Sequence, residues 1–181
     1  MSPRALVDRP RLEALLAALG ASFRHPARLY LSGGEGLIWR GLRGTTQDVD
    51  ISYEVAPAHH DAWIRSLREL KERLSINIEE AQPSDFIPIP SGAESRAEFI
   101  GRYGDVDVFL LDPYSIALSK LERGLGGDLD DVRALLAAGV IEKTKLTRLF
   151  DEVLPRYERA AVKSDPSRFR EMLDSVVQAG T

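Results

Sequence analysis

Residues 29–55 read LYLSGGEGLIWRGLRGTTQDVDISYEV, which is a strand, a glycine turn, a short helix and a second strand carrying two carboxylates. Leu29, Tyr30 and Leu31 form a short apolar run without helical period, and Ser32-Gly33-Gly34 breaks it at once. Gly33 and Gly34 lack a Cβ, so backbone and ligand can approach closely there. Glu35 to Leu42 then has room for two helical turns whose free N–H groups point back at the glycines, an arrangement that holds a phosphate. Gly41 and Gly44 bracket a turn before Asp48-Val49-Asp50-Ile51. Strand alternation sends Val49 and Ile51 to the core and both aspartates to the opposite face. Two carboxylates side by side repel unless a cation sits between them. With only hard oxygen donors, the expected cation is magnesium, which could bridge to a triphosphate.

Each piece has a plainer reading: a double glycine serves as turn chemistry, and an Asp-x-Asp as a solvated strand face. Taken together, with thirteen residues (35–47) between Gly34 and Asp48, they resemble the signature of the polymerase-beta-like nucleotidyltransferase superfamily. In that superfamily the glycine turn holds the triphosphate and the carboxylates hold two metals. The resemblance implies a phosphate role for Ser32, Gly33 and Gly34 and a metal role for Asp48 and Asp50. Many members carry Gly-Ser where this chain has Gly33-Gly34.

Composition bounds the answer. A chain of 181 residues accommodates one well-packed domain, or a small catalytic domain with a helical appendage. With 44% apolar and 29% charged residues, and no apolar run near the roughly 20 residues a bilayer requires, it reads as an ordinary soluble protein with no membrane partner. The absence of cysteine excludes disulfides and thiolate metal sites, and with no signal-peptide pattern a cytoplasmic location is expected. A formal charge of −4 argues against a wide basic surface gripping nucleic acid.

Elsewhere the signals are mostly structural. Asp8, Pro10 and the leucines at 12, 15, 16 and 19 predict a packing helix that Gly20 ends. From Pro57 a second helix is expected, with Ala62, Trp63, Leu67 and Leu70 on one side and His59-His60 as surface residues at its start. Ser75 to Ala81 reads as a strand and Pro83 to Pro90 as a loop. In that loop Phe86, Ile87 and Ile89 either anchor to the core or wall a nucleotide pocket. Arg40 and Arg43 either meet a phosphate or sit solvated. Val106, Val108 and Leu110 alternate with Asp105, Asp107 and Phe109, so a strand is expected there; Asp105 follows a glycine and belongs to turn chemistry. Asp107 is the candidate third metal ligand, by its match to the hydrophobic-Asp-hydrophobic setting of the superfamily's third carboxylate.

Asp112-Pro113 opens a helix in which Lys120 stands among apolar residues. On its own that lysine reads as one that snorkels to the surface. The run DPYSIALSKLERGLGGDLDDVRALL, with Asp128-x-x-Asp131-Val132 behind the lysine, resembles the second half of nucleotidyltransferases like the abortive-infection toxins. That resemblance implies that Lys120 neutralises the triphosphate and that Asp131 supports the site by orienting the lysine. The two resemblances cover about residues 29–138. After Gly139 two polar helices are expected, the first interrupted by Pro155 and the second starting at Asp165 or Pro166.

The expected architecture is thus an α/β (α+β) nucleotidyltransferase fold, a small mixed sheet flanked by helices over residues 1–138, with a C-terminal helical region over 139–181 packed on it. The expected chemistry is two-metal, magnesium-dependent transfer of a nucleoside monophosphate from a nucleoside triphosphate to a hydroxyl of RNA, a tRNA end or a protein. The toxin-like half adds a possible cognate antitoxin as partner. The alternative is a degenerate module of the same fold that binds nucleotide or a partner without catalysis.

Overall fold

Asp8 accepts the Arg11 N–H at 3.0 Å and a proline sits in the first turn, so helix α1 (Arg9–Ser22) starts where the sequence places it. The computed structural model describes residues 5–160 and 165–178. Helix α1 does not stop at Gly20. A Cβ there would lie 2.4 Å from the Tyr103 backbone carbonyl, so the glycine serves a backbone-to-backbone approach and the helix runs on to Ser22.

Strand β1 (Ala27–Leu31), helix α2 (Glu35–Trp39), strand β2 (Asp48–Val55), helix α3 (His60–Arg73) and strands β3 (Asn77–Glu80), β4 (Glu98–Tyr103) and β5 (Val106–Leu110) follow in order. The five strands form one mixed sheet in the order β3-β2-β1-β5-β4. β1 lies antiparallel to β2 and parallel to β5, β2 is parallel to β3, and β4 closes the edge antiparallel to β5. Alternation then sorts the side chains. Leu29, Leu31, Val49, Ile51, Val106, Val108 and Leu110 join one core with Leu12, Leu16 and Leu19 of α1 and Trp63 and Leu70 of α3. The opposite face carries Arg28, Tyr30, Asp48, Asp50, Ser52, Glu54, Asp107 and Phe109, none of them buried. This is the expected mixed sheet with helices against it.

Two local expectations change. Helix α2 is five residues long rather than eight, because Gly41 takes a left-handed φ of 72° just after the Arg40 cap. Strand β4 has no counterpart in the sequence reading. As an edge strand it buries no residue, so it lacks the alternation that betrays a strand.

The chain forms two compact units. The first unit holds the described residues up to Gln82 together with Glu98–Leu111; the second holds Pro83–Ala97 and the described residues from Asp112 onward. In the second unit, helix α4 (Pro113–Arg123) has eight consecutive buried residues, Tyr114 to Leu121. Helices α5 (Gly126–Ala137), α6 (Lys143–Ala160) and α7 (Pro166–Val177) all pack against it, which is why α4 and α5 group with the C-terminal helices. Asp112 caps α4 by accepting from Tyr114 N and Ser115 N and is gripped in turn by both arms of Arg96 at 2.8 Å. Pro155 does not interrupt α6. Buried Phe150, Val153 and Tyr157 continue one apolar face past it, and that packing outweighs the one hydrogen bond the proline removes. Asp165 caps α7 through Arg168 N at 3.0 Å.

Candidate functional site

The Ser32 N–H donates to the Asp50 carbonyl at 2.9 Å, which extends the β1–β2 ladder by one rung and sets the glycine turn directly over the carboxylate strand. The contact is close: a Cβ on Gly33 would lie 2.2 Å from Asp50 Oδ2 and 2.8 Å from its Cγ. Gly33 is therefore demanded by the aspartate. Gly34 has an ordinary helical φ of −65°. What constrains it is space, since its Cβ would stand 3.2 Å from both Arg43 Nη1 and Thr46 Oγ1. The Arg43 guanidinium thus overhangs the turn, anchored by Nε on the Thr45 carbonyl at 2.8 Å. Arg40 faces elsewhere, paired with Glu98 at 2.8 Å. Ser32 is buried, and its hydroxyl donates to the Ala81 carbonyl.

Asp48 and Asp50 share the polar sheet face, half-buried, with buried Val49 between them on the core side. Thr46 and Val7 exchange backbone hydrogen bonds at 2.8 and 2.9 Å, which fixes the chain as it enters β2. Asp48 has a partner that the sequence did not disclose. The Asn77 amide nitrogen donates to Asp48 Oδ1 and to Glu79 Oε1, both at 2.6 Å, across the parallel β2–β3 pairing. Its signal was present only as a polar residue inside a predicted strand; the register makes it a neighbour of Asp48.

Asp107 is on the same face but not in the same place. Its β1 partner is Arg28, whereas Asp50 pairs at the level of Ser32. Four residues separate the two levels, about 13 Å at ~3.3 Å per residue. Asp107 is held instead by both arms of Arg102, at 2.6 and 3.0 Å. That hydrogen bonding, and the charge behind it, keep the Asp107 carboxyl below the usual carboxylate range. The structure therefore does not bring the expected third ligand to Asp48 and Asp50. Among the described residues, no group of three or more His, Asp and Glu side chains is arranged to hold a metal.

In the second unit Lys120 is buried, and its ammonium donates to Asp128 Oδ1 at 3.0 Å and to Asp131 Oδ2 at 2.7 Å. Arg123 adds a third charge-assisted bond to Asp128 at 2.6 Å. Two cations and two carboxylates balance to zero here, so the Lys120 charge is already compensated locally. The loop alternative is partly decided within this unit as well. Ile87 is buried, while Phe86 and Ile89 stay exposed, and Arg123 lies over the Phe86 ring at 5.3 Å.

A family model described as "Nucleotidyltransferase of unknown function (DUF6036)" matches residues 20–172. The chain belongs to this nucleotidyltransferase family. The match spans the glycine turn, the Asp48–Asp50 strand and the Lys120–Asp131 pair alike. No curated protein and no solved structure matches the chain significantly. For this nucleotidyltransferase the family description names the reaction class and leaves the nucleotide and the acceptor open.

Proposed function

We propose that the protein is a magnesium-dependent nucleotidyltransferase that moves a nucleoside monophosphate from a nucleoside triphosphate to a hydroxyl acceptor. The observation that carries this reading is the contact of the Gly33 backbone with the Asp50 carboxylate, which sets the glycine turn against the acidic strand. The donor set suits magnesium: that ion is usually bound by one or two carboxylates plus substrate phosphates rather than by an all-protein cage. Asp48 and Asp50 are the residues that would hold it. When bound, magnesium offsets the charge of the phosphates and of the departing pyrophosphate.

The protein's own groups do the rest. The backbone at Gly33 and Gly34 receives the triphosphate tail, and Arg43 above it supplies a cation that is not buried. Asn77 holds Asp48 in one orientation. The acceptor oxygen bonds to the α-phosphorus as the bond to the bridging oxygen breaks, releasing pyrophosphate and the hydroxyl proton. The toxin resemblance gives Asp131 the role of orienting Lys120, and the 2.7 Å hydrogen bond between them supports that role. The reading takes an RNA or tRNA end or a protein as acceptor; the toxin resemblance adds a cognate antitoxin as partner, and the lack of cysteine and of a signal-peptide pattern supports a cytoplasmic location. Among the described residues no helix is long and apolar enough to cross a membrane.

A second reading, a degenerate module that binds nucleotide without transferring it, draws on one observation: Asp107 is rungs away from the other two carboxylates. One experiment separates the two. The protein is incubated with each labelled nucleoside triphosphate, magnesium, total RNA and cell lysate, beside Asp48→Asn/Asp50→Asn. Label moved by wild type alone is the expected result. Binding without transfer selects the degenerate module, and absence of both overturns the reading of Gly33 to Asp50.

A further inference from the structure

Strand β2 is eight residues long and β3 only four, and the two pair from Asp48 with Asn77 to Ile51 with Glu80. One further bond continues the ladder, from the Ala81 N–H to the Ile51 carbonyl. The chain then leaves the edge, and the Ala81 carbonyl accepts from the Ser32 hydroxyl at the end of β1. Among the described residues no strand lies beside 52–55 on the side away from β1.

The antiparallel pairing with β1 fixes which backbone groups are left over. The Ser32 N–H bonds to the Asp50 carbonyl, so Asp50, and with the two-residue period Ser52 and Glu54, turn their N–H and C=O groups toward β1. Ile51, Tyr53 and Val55 turn theirs the other way, in accord with the bond from Ala81 to Ile51. Among the described residues no backbone hydrogen bond reaches Tyr53 or Val55 from that side. Their N–H and C=O groups form an open sheet edge. The devices that blunt an edge, a proline, a lysine or a bulge, do not occur in 52–55.

Beside this edge, on the core side of the sheet, β2, β3 and α3 line a groove of about 210 Å3. Ile64, Leu67 and Ile78 give it an apolar lining. Two of its three charged side chains are engaged. Lys71 donates to the Ile78 carbonyl at 3.1 Å, and Glu80 accepts from the Tyr53 hydroxyl at 3.1 Å. The third, Arg68, is exposed, and no hydrogen bond or ion pair among the described residues involves it. The uncompensated charge at the groove is therefore positive.

We propose that the open half of β2 docks an extended segment of another protein. The segment adds as a strand beside residues 52–55, seats apolar side chains from alternate positions in the groove and brings a carboxylate to Arg68. Its chemistry follows from the three features in turn. The unused main-chain groups select an extended peptide, the lining selects apolar residues with a period of two, and Arg68 selects an acidic residue. The site uses no nucleotide chemistry, so it goes beyond the transferase reading and does not depend on it.

The test uses the full chain and a fluorescein-labelled synthetic peptide in which valine and threonine alternate between terminal aspartates, so that either strand direction offers Arg68 a carboxylate. Before the peptide is added, amide hydrogen exchange followed by NMR should be fast at Tyr53 and Val55 and slow at Ser52 and Glu54. Saturating peptide should slow Tyr53 and Val55 by about tenfold or more. Fluorescence polarisation should show binding that weakens about tenfold or more in Arg68→Glu, where a charge-assisted contact is lost, and persists in Arg68→Lys. One peptide N-methylated at its valines and another at its threonines should differ, one failing to bind and the other binding normally, because only alternate amides of an added strand face β2. Equal behaviour of the two methylated peptides, undiminished binding of a peptide with serine in place of valine, or no binding of the parent peptide overturns the proposal. So does slow exchange at Tyr53 and Val55 in the chain alone. If that protection grows with protein concentration, a second copy occupies the edge; if it does not, the chain covers the edge itself.

Discussion

Gly33 and Asp50 are in van der Waals contact through the space where a Cβ would be, 2.2 Å from the aspartate Oδ2 and 2.8 Å from its Cβ. Because the obstructing atoms include Asp50 Cβ, a side chain at 33 is not accommodated by turning the carboxylate alone. Gly33→Ala should cost about 1–3 kcal/mol in urea unfolding, the usual cost of overpacking. It should also abolish label transfer by displacing Asp50. Wild-type activity in Gly33→Ala would show that the contact is dispensable.

Asn77 holds Asp48 and Glu79 by a single amide nitrogen, with 2.6 Å to each carboxylate. Residues that orient a metal ligand typically change metal affinity 10–100-fold when removed. Asn77→Ala should raise the magnesium concentration for half-maximal transfer by about tenfold or more, with a matching loss of Mn2+ binding seen by electron paramagnetic resonance. An unchanged magnesium dependence would confine Asn77 to strand pairing.

Arg43 is exposed and stands over Gly34, so its loss should leave the fold intact. Removing one charge-assisted contact to a phosphate should weaken tripolyphosphate binding about tenfold. Thermal unfolding of Arg43→Ala should match wild type while isothermal titration shows the loss.

Lys120→Met leaves Asp128 and Asp131 buried with their shared cation gone. Breaking a buried ion pair from one side costs roughly 3–5 kcal/mol, which should appear as a large drop in the urea midpoint. Asp131→Asn should cost much less, because the amide oxygen can still accept from Lys120. Equal effects of the two variants would argue against the buried triad as a stabilising element.

Glu152 accepts from the backbone N–H and the hydroxyl of Ser91, both at 2.8 Å, and these bonds hold its carboxyl below the usual range. The folded value is depressed, so the stabilisation is fully present above the unfolded value, about 4.3, and is lost as pH falls through the lower folded one. Wild type should exceed Glu152→Gln in stability by a constant, modest margin from pH 7 to about 5, and the margin should shrink below that. Urea midpoints measured from pH 7 to 3 check this; a margin that grows on acidification would contradict it.

What the sequence by itself determined is what neighbours along the chain determine. The caps at Asp8, Asp112 and Asp165, the break after Leu31, and the placing of Asp48 and Asp50 on one face all follow from local turn chemistry and a two-residue period. Alternation also put Asp107 on a face correctly described as a strand face. It carried no information about which rung that residue occupies, because rungs are set by pairing between strands distant in sequence. The same limit hid Asn77 as the partner of Asp48 and the open edge of β2 beyond Ile51. It also hid β4, an edge strand with no buried residue to mark it. Intrinsic preference alone makes Gly20 and Pro155 helix breakers. Tertiary packing overrode both, one through a backbone contact at Tyr103 and the other through the apolar face of α6. Local preferences amount to about 1 kcal/mol per residue for glycine and ~3 for proline, and a helix with several buried side chains outweighs them. The residue types of the site are thus written in the chain, while the register of the sheet decides which of them meet.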